Sequence, residues 1–474
     1  KFISSDEDLN VTYDYRCSIY QQHIKKTPIG HVITEFLPDV PWAGIYNTIS
    51  CAAMHHFREG RWMQNPSVLT EYAQFWCTEG NPRLYSFPIA DSILGLCRVT
   101  GDYSTADALY AKLCEIHSAW DDHKTADGMY RQSCDRDGME YSISGDGLRP
   151  TINSYMYADK CALSYLARRA NDNTAAQSYA DDAFHLLEQI NVCLWNDESN
   201  MYGVVSDSGM MQNVRELIGY IPWIYGIPAA KRDSCFDNLL DPSCFASPFG
   251  LRTADASHHD YRKSYPHECL WNGPIWPFAS SQTLTAVIEY LHTAEAPVLS
   301  PKDFTELILT YARSHRDTDG TPYLDENMDP DTGIWLAREI MRGWNRPGKD
   351  PTRGRHYNHS TFIDLVMTGI CGIRPCDSDR LILHPLGTSL DWFSAEDIHY
   401  HGHVLSFRWD KIDGLRVDVD GTRSFFAQAA ADVRLEINLA DEPIPEDCRL
   451  IVVFDPQDDF LSRDEFGKTS EITK

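Results

Sequence analysis

The sequence predicts a mainly α fold, an (α/α)6 toroid barrel followed by a small antiparallel β domain. Three observations predict it. Apolar residues recur at helical spacing up to about residue 375, a helix-opening pattern repeats after about 70 residues, and beyond Cys376 the hydrophobic period becomes two.

Taken in order, the spacing predicts helices over Ile45 to Phe57, Val68 to Thr78, Phe87 to Val99 and Thr105 to Ala119. Asn153 to Ala170 follows, with Tyr155, Ala158, Ala162, Tyr165 and Leu166 on one face, then Thr174 to Leu194 with Ala176, Ala180, Phe184, Leu187 and Ile190. Phe278 to His292, Asp303 to Ser314 and Phe362 to Ile373 complete the series. The repeat lies inside it. Gly101 to Ala106 opens one helix, which ends in Ala119-Trp120-Asp121-Asp122 before Gly128-Met129-Tyr130. Asn171 to Ala176 opens another, which ends in Leu194-Trp195-Asn196-Asp197 before Asn200-Met201-Tyr202. A unit of two helices and a loop, used six times, makes a helical toroid.

Past Cys376, Leu381 to Leu386, Ile398 to Tyr400, Val404 to Trp409 and Leu415 to Asp420 alternate between Gly and Asp turns, as strands do. Val433 to Leu439 and Leu450 to Phe454 extend the set. The expected organisation is a barrel with an N-terminal extension over 1–376, a β-sandwich-like domain over 377–455 and a charged tail over 456–474.

With 43% hydrophobic and 23% charged residues, the 474-residue chain has the composition of a globular protein with a sizeable core. Its formal net charge of -27 repels phosphate backbones, so nucleic acid is not an expected partner. No apolar run is long enough to span a membrane, and no basic-then-apolar leader follows Lys1. A soluble protein is expected, with no compartment assigned. The 14 cysteines are scattered without zinc-ligand spacing, so neither metal nor cofactor is expected. The pairs His55-His56, His258-His259 and His401-Gly402-His403 read as surface or packing histidines.

Twelve Trp and 24 Tyr point to the ligand class, because several of them, Trp42, Trp271, Trp276, Trp335 and Trp344, stand in polar, loop-like contexts. Sugar rings offer C–H faces to aromatic planes and hydroxyls to carboxylates and arginines. Carbohydrate is the expected substrate. Two stretches carry candidate chemistry. Asp135-Arg136-Asp137-Gly138-Met139-Glu140-Tyr141-Ser142-Ile143-Ser144-Gly145 packs carboxylates, an arginine and two glycines between helices, and Asp325-Glu326-Asn327-Met328-Asp329-Pro330-Asp331-Thr332-Gly333 repeats the design of carboxylates next to turn residues. By themselves these read first as acidic turns capping helices or making ion pairs.

These residues carry a resemblance. Gly138-Met139-Glu140-Tyr141-Ser142 is similar to the general-acid segment of the trehalase and processing-glucosidase group of six-hairpin glycosidases, with Glu in place of the usual Asp. Leu270-Trp271-Asn272-Gly273-Pro274-Ile275-Trp276-Pro277 resembles a segment of glycoside hydrolase family 63 and mannosylglycerate hydrolases, and Glu326 to Gly333 resembles their general-base segment. Leu194 to Asp197, Met201-Tyr202 and Arg215 to Pro222 match in the same order. The resemblance covers roughly residues 40 to 375. Where the group often has aromatic-Gly-Trp-Ser, this chain has Tyr357-Asn358-His359-Ser360, which implies a different sugar subsite.

The resemblance implies an inverting glycosidase, with Glu140 as general acid and Glu326 as general base, Glu216 and Glu339 standing as fallbacks for the base. Inversion needs carboxyl groups about 6.5 to 9.5 Å apart, leaving room for a water. Asp39 and Trp42 are candidates for the subsite floor, Arg136, Arg149 and Arg215 for hydroxyls or a substrate carboxylate, Trp271 and Trp276 for stacking, His359 for a hydroxyl. The Arg342 to Arg355 segment is a candidate loop over the site or partner contact. Exo-acting hydrolysis is the leading reading. A phosphorylase or polysaccharide lyase on the same barrel and a non-catalytic carbohydrate-binding protein are the alternatives.

Overall fold

A computed structural model describes residues 1–344, 350–430 and 432–440. Twelve α-helices are described: α1 (Glu7–His23), α2 (Ala53–Gly60), α3 (Ser67–Thr78), α4 (Ile89–Thr100), α5 (Ser104–Ala119), α6 (Pro150–Arg169), α7 (Asn173–Cys193), α8 (Ile221–Ile224), α9 (Pro277–Thr293), α10 (Pro301–Ser314), α11 (Leu336–Trp344) and α12 (Phe362–Leu365), the last continued by a π-helical turn over Val366–Ile370. Helices α2, α4, α6, α8, α9 and α12 touch one another in that order, and α12 returns to α2, closing a ring of six. Burial agrees with this placement: α9 hides almost every side chain, whereas α7 hides only Ala176, Ala180, Ala183, Leu186 and Ile190 along one stripe. Helices α1, α3, α5, α7 and α10 lie outside the ring and pack on it and on each other. This is an (α/α)6 barrel.

Connections after the inner helices are short. Residues 101–103 join α4 to α5 and 170–172 join α6 to α7. The first is stopped by Gly101 in a left-handed conformation, φ +73°. Asp172 caps α7 through Ala175 N, and Ser300 and Asp303 make a reciprocal capping box on α10. Proline at the start of α6, α9 and α10 sets φ where no N–H partner is lost. The two copies of the sequence repeat are the hairpins α4–α5 and α6–α7.

Two expectations shift locally. The helix expected from Ile45 begins only at Ala53, after a 3-10 turn over Ser50–Ala52, because the preceding residues form a loop that Asn47 pins. Its side chain bonds Phe36 O, Pro38 O and Val40 N, each at 3.0 Å. Helix α1, not anticipated, buries Leu9, Thr12, Tyr13, Arg16, Ile19, Tyr20 and His23 at helical spacing. Polar residues interrupt that face, so the hydrophobic pattern conceals it. Arg16 is satisfied inside by Glu59 at 3.2 Å, Asn358 Oδ1 at 2.9 Å and Ser360 O at 3.1 Å.

The sheets are antiparallel. With β1 (Phe2–Ser4), β2 (Ile373–Arg374), β3 (Arg380–Leu383), β4 (Trp392–Tyr400), β5 (His403–Asp410), β6 (Gly414–Val419), β7 (Arg423–Ala427) and β8 (Leu435–Asn438), one sheet has the order β1-β4-β5-β6-β7 and another β2-β3-β8. The first strand of the larger sheet comes from the N-terminal extension, Phe2 pairing with Ala395 and Ser4 with Phe393. One continuous core runs from the barrel into the sheet, through residues such as Ile288, Ile370, Leu386, Phe393 and Phe407. The expected strand over Leu450 to Phe454 and the charged tail lie outside the described residues. No described helix is long and apolar enough to cross a membrane. Thirteen described cysteines are free thiols.

Candidate active site

A cavity of about 210 Å³ is lined by Glu35, Phe36, Trp42, Ile49 and Cys51, by Tyr85, by Gly138 and Glu140, by His267, Glu268, Cys269 and Trp276, and by Glu326, Arg353 and Tyr357. Apart from Cys51, in the 3-10 turn that leads into α2, these residues stand in loops. Each group precedes an inner helix: α2, α4, α6, α9 and α12 respectively. The long connections into the ring therefore build the site, and the short ones leave it. Four carboxyl groups, those of Glu35, Glu140, Glu268 and Glu326, line this one cavity.

Glu140 is positioned by a tightly held loop. Asp137, fully buried, accepts from Ser86 Oγ at 2.6 Å and from Arg149 Nε at 2.5 Å, and Arg149 also donates to Gly145 O and, at 3.3 Å, to Ser142 Oγ. Glu216 accepts Ile143 N at 2.7 Å, Ser144 N at 3.2 Å and the Ser144 hydroxyl. Gly138 takes φ +70°, and a Cβ there would meet Cys51 Sγ at 2.3 Å, so no other residue fits. Tyr141 also has positive φ, +62°, which for a non-glycine costs about 1–3 kcal/mol and is held by the surrounding bonds. The Glu140 carboxyl keeps a partly open surface toward the cavity. Desolvation, reinforced by Asp135, Glu326 and Glu35, pushes its pKa up to about 8.

Glu326 has different surroundings. Arg353 Nε lies 3.0 Å from its Oε1 and Nη2 3.4 Å from its Oε2, a two-point ion pair, and the Cys269 thiol donates to Oε2 at 3.1 Å. The same guanidinium reaches Glu268 Oε1 at 2.9 Å and stands 4.9 Å over the Trp42 ring. Behind Glu326, Asp325 accepts from Tyr323 Oη at 2.8 Å and from Glu326 N at 2.8 Å, and burial pushes its carboxyl up to about 7. Gly354 lets the backbone pass, since a Cβ would stand 1.9 Å from Asp325 Oδ1.

Glu35 is a third buried acid, pushed up to about 8 by desolvation and then by Glu326. Its Oε1 accepts from Tyr357 Oη at 3.3 Å and lies 3.0 Å from His359 Nε2 without hydrogen-bond alignment, while Oε2 has no protein partner. Burial holds His359 well below the usual histidine range, hence neutral.

Among the residues singled out from sequence, Glu140, Glu326, Trp42 and Trp276 meet at the cavity. Trp271 stacks behind Trp276 at 4.4 Å and 14°, and His359 lies behind Tyr357, ring to ring at 4.0 Å. Arg149, Arg215 and Glu216 are not among the lining residues. Arg149 and Glu216 brace the Glu140 loop, and Arg215 binds Asp255 at 2.9 Å and Ser199 O at 2.9 Å, so their charges are used within the protein. Asp39 is exposed one turn before Trp42, and Arg136 lies outside the lining, 5.5 Å over Tyr85. Glu339 pairs with Arg342 on an exposed face at 2.6 Å.

Sequence reading did not single out Glu35, Tyr85, His267, Glu268 or Cys269, and of these only Glu35 carried a signal, an acid inside the run Val32-Ile33-Thr34-Glu35-Phe36-Leu37. Tyr357 stood in the segment read as a different sugar subsite and Arg353 in the Arg342 to Arg355 candidate loop, of which residues 345–349 lie outside the described residues. For metals, one described trio, the consecutive His258, His259 and Asp260, brings potential ligand atoms within 4.8 Å of one another, outside this cavity.

A family model described as the mannosylglycerate hydrolase MGH1-like glycoside hydrolase domain matches residues 45–360. A solved structure named a sialidase is 34% identical with a TM-score of 0.86, over 93% of this chain and 41% of that one. The present chain thus spans less than half the length of that relative. The family 63 mannosylglycerate hydrolase from Thermus thermophilus, in complex with glucose, gives a TM-score of 0.56 at 12% identity, over 75% of this chain and 99% of that one. A family 78 rhamnosidase of Bacillus sp. GL1 gives 0.58 at 13%, over 88% and 41%. At such identities the last two share the fold. No curated protein matches the chain.

Proposed function

The chain belongs to the mannosylglycerate hydrolase MGH1-like glycoside hydrolase family, and from that premise we propose that it hydrolyses a terminal glycosidic bond with inversion, Glu140 serving as general acid and Glu326 as general base. One observation carries the assignment. Two carboxyl groups of one cavity have opposed surroundings, Glu140 desolvated and pushed up to about 8, Glu326 clasped by Arg353.

In the step, Glu140 gives its proton to the leaving oxygen as the C1–O bond breaks. Water attacks C1 from the opposite face, and its proton passes to Glu326. Solvent then reprotonates Glu140 and takes the proton from Glu326. Arg353 orients the Glu326 carboxylate through two contacts. Glu35, protonated at neutral pH, donates to a sugar hydroxyl, with Tyr357 and neutral His359 around it, and Trp276 supplies a face for the ring. The cavity is smaller than the roughly 300–1,000 Å³ of drug-sized sites and suits a single ring, which favours exo action.

The test is a panel of glucosides, mannosides, rhamnosides, sialosides and oligosaccharides, with product anomers followed by NMR before mutarotation. Inverted product, with turnover lost about a thousandfold in Glu140→Gln and Glu326→Gln, supports both roles. A retained anomer removes the inverting mechanism. Release only with added phosphate, or an unsaturated product, replaces hydrolysis by phosphorolysis or elimination. Sugar binding without turnover leaves a binding protein.

A further inference from the structure

The glycosidase reading uses Glu140, and the residue after it belongs to a group of rings that lies outside the hydrophobic core. Tyr141, the next residue, is 37% exposed, and its ring lies 4.7 Å from Tyr265 at 31° and 5.3 Å from His267 at 42°. His267 lines the catalytic cavity, which ties the group to its mouth. Its ring is fixed by Cys269 N, which donates to Nδ1 at 3.0 Å. The second observation is in the backbone: Tyr141 holds φ +62° although it is not glycine and leaves its ring partly in solvent. Packing alone does not account for an aromatic residue at a left-handed position, since burying the ring is not what results. Strain of this kind collects where a side chain must be aimed.

Direction follows from the chemistry. A general acid protonates the leaving oxygen, so the groups beside it on the solvent side face the leaving group rather than the ring whose C1 reacts. We propose that Tyr141, Tyr265 and His267 form the platform on which the leaving-group sugar ring lies by its C–H face. This selects an oligosaccharide over a glycoside with a small aglycone. It rests on the glycosidase reading above.

Glycosyl fluorides separate the two readings, because fluoride leaves without an aglycone ring to bind. For the disaccharide turned over in the panel and the fluoride of its non-reducing sugar, kcat/KM is compared in wild type, Tyr265→Ala, Tyr141→Gly and Tyr141→Phe. Glycine suits the left-handed backbone and removes only the ring, whereas Phe keeps it. The expected result is a loss of about tenfold or more on the disaccharide in Tyr265→Ala and Tyr141→Gly, with the fluoride within about twofold and Tyr141→Phe near wild type. Equal losses on both substrates would make the rings supports of Glu140 and overturn the platform. Unchanged rates on the disaccharide would overturn it too. A panel in which the wild type turns over no disaccharide or other glycoside sinks the glycosidase reading itself, a separate outcome.

Discussion

At the scale of single residues, similar carboxyl groups of one cavity have different surroundings. In the proposed role Glu140 must be protonated to act, and desolvation pushes it up to about 8. The kcat/KM profile of the wild type therefore has a basic limb near pH 8, and Glu140→Gln loses that limb together with most of its activity. A substrate with an activated aryl leaving group needs less proton donation, so the variant retains more of its rate there than on a disaccharide. Glu35 makes a prediction about stability instead. Its folded pKa of about 8 stands above the ordinary 4.5, so between these values the folded protein keeps a proton that the unfolded chain releases. Stability from this group is fully present below about pH 4.5 and is lost as pH rises through about 8. Asp325 and Glu59, each pushed up to about 7 by burial, act in the same sense. Urea midpoints should fall between about pH 5 and 8, and Glu35→Gln should flatten that slope. An unchanged slope would mean that Glu35 is ionised in the folded protein.

At the scale of elements, the segment over residues 350–357 brings Arg353 and Tyr357 to the cavity beside Glu326. It does so because Gly354 allows the chain to pass Asp325. Gly354→Ala forces a Cβ into the Asp325 carboxylate, and the displacement passes directly to Glu326, the next residue. Overpacking of this kind costs about 1–3 kcal/mol, and kcat should drop more than stability does. A variant with normal kcat would show that the loop can shift without moving the base. Helix α10 provides the contrasting case, an outer helix without a lining residue. Ser300→Ala removes its capping box at a cost of about 1 kcal/mol, read in the urea midpoint, while kcat/KM stays unchanged.

At the scale of the whole molecule, the first and the late segments of the chain hold each other. Phe2 is 1% exposed, packs on Phe393 and Tyr13, and belongs to β1 on the edge of a sheet built otherwise after residue 390. Phe2→Ala should cost about 3–5 kcal/mol by urea denaturation. A cost below about 1 kcal/mol would mean that the strand contributes little to the shared core.

The sequence by itself determined the barrel and the later antiparallel strands, because periods of 3.6 and two are local consequences of burying one face. It also marked the loops that carry Glu140 and Glu326, through Gly138 and the turn around Asp329 to Gly333, while the choice of these two acids came from the family resemblance. Helix α1 stayed hidden because Thr12, Arg16 and His23 occupy its buried face, and the partners that satisfy Arg16, Glu59, Asn358 and Ser360, are far away in the chain. The same reason governs the site. Arg149, Arg215 and Glu216 look like ligand-binding charges until their partners Asp137, Asp255 and Ser144 are placed beside them. Glu268 carries no signal in the sequence and Glu35 and Arg353 only a faint one, until three loops bring them to one cavity. Which charges face a substrate and which are satisfied by other charges is a question of pairing across separations, here 12, 40 and 72 residues, that the hydrophobic period does not encode. Only the closed ring of helices answers it, because it alone sets those distances.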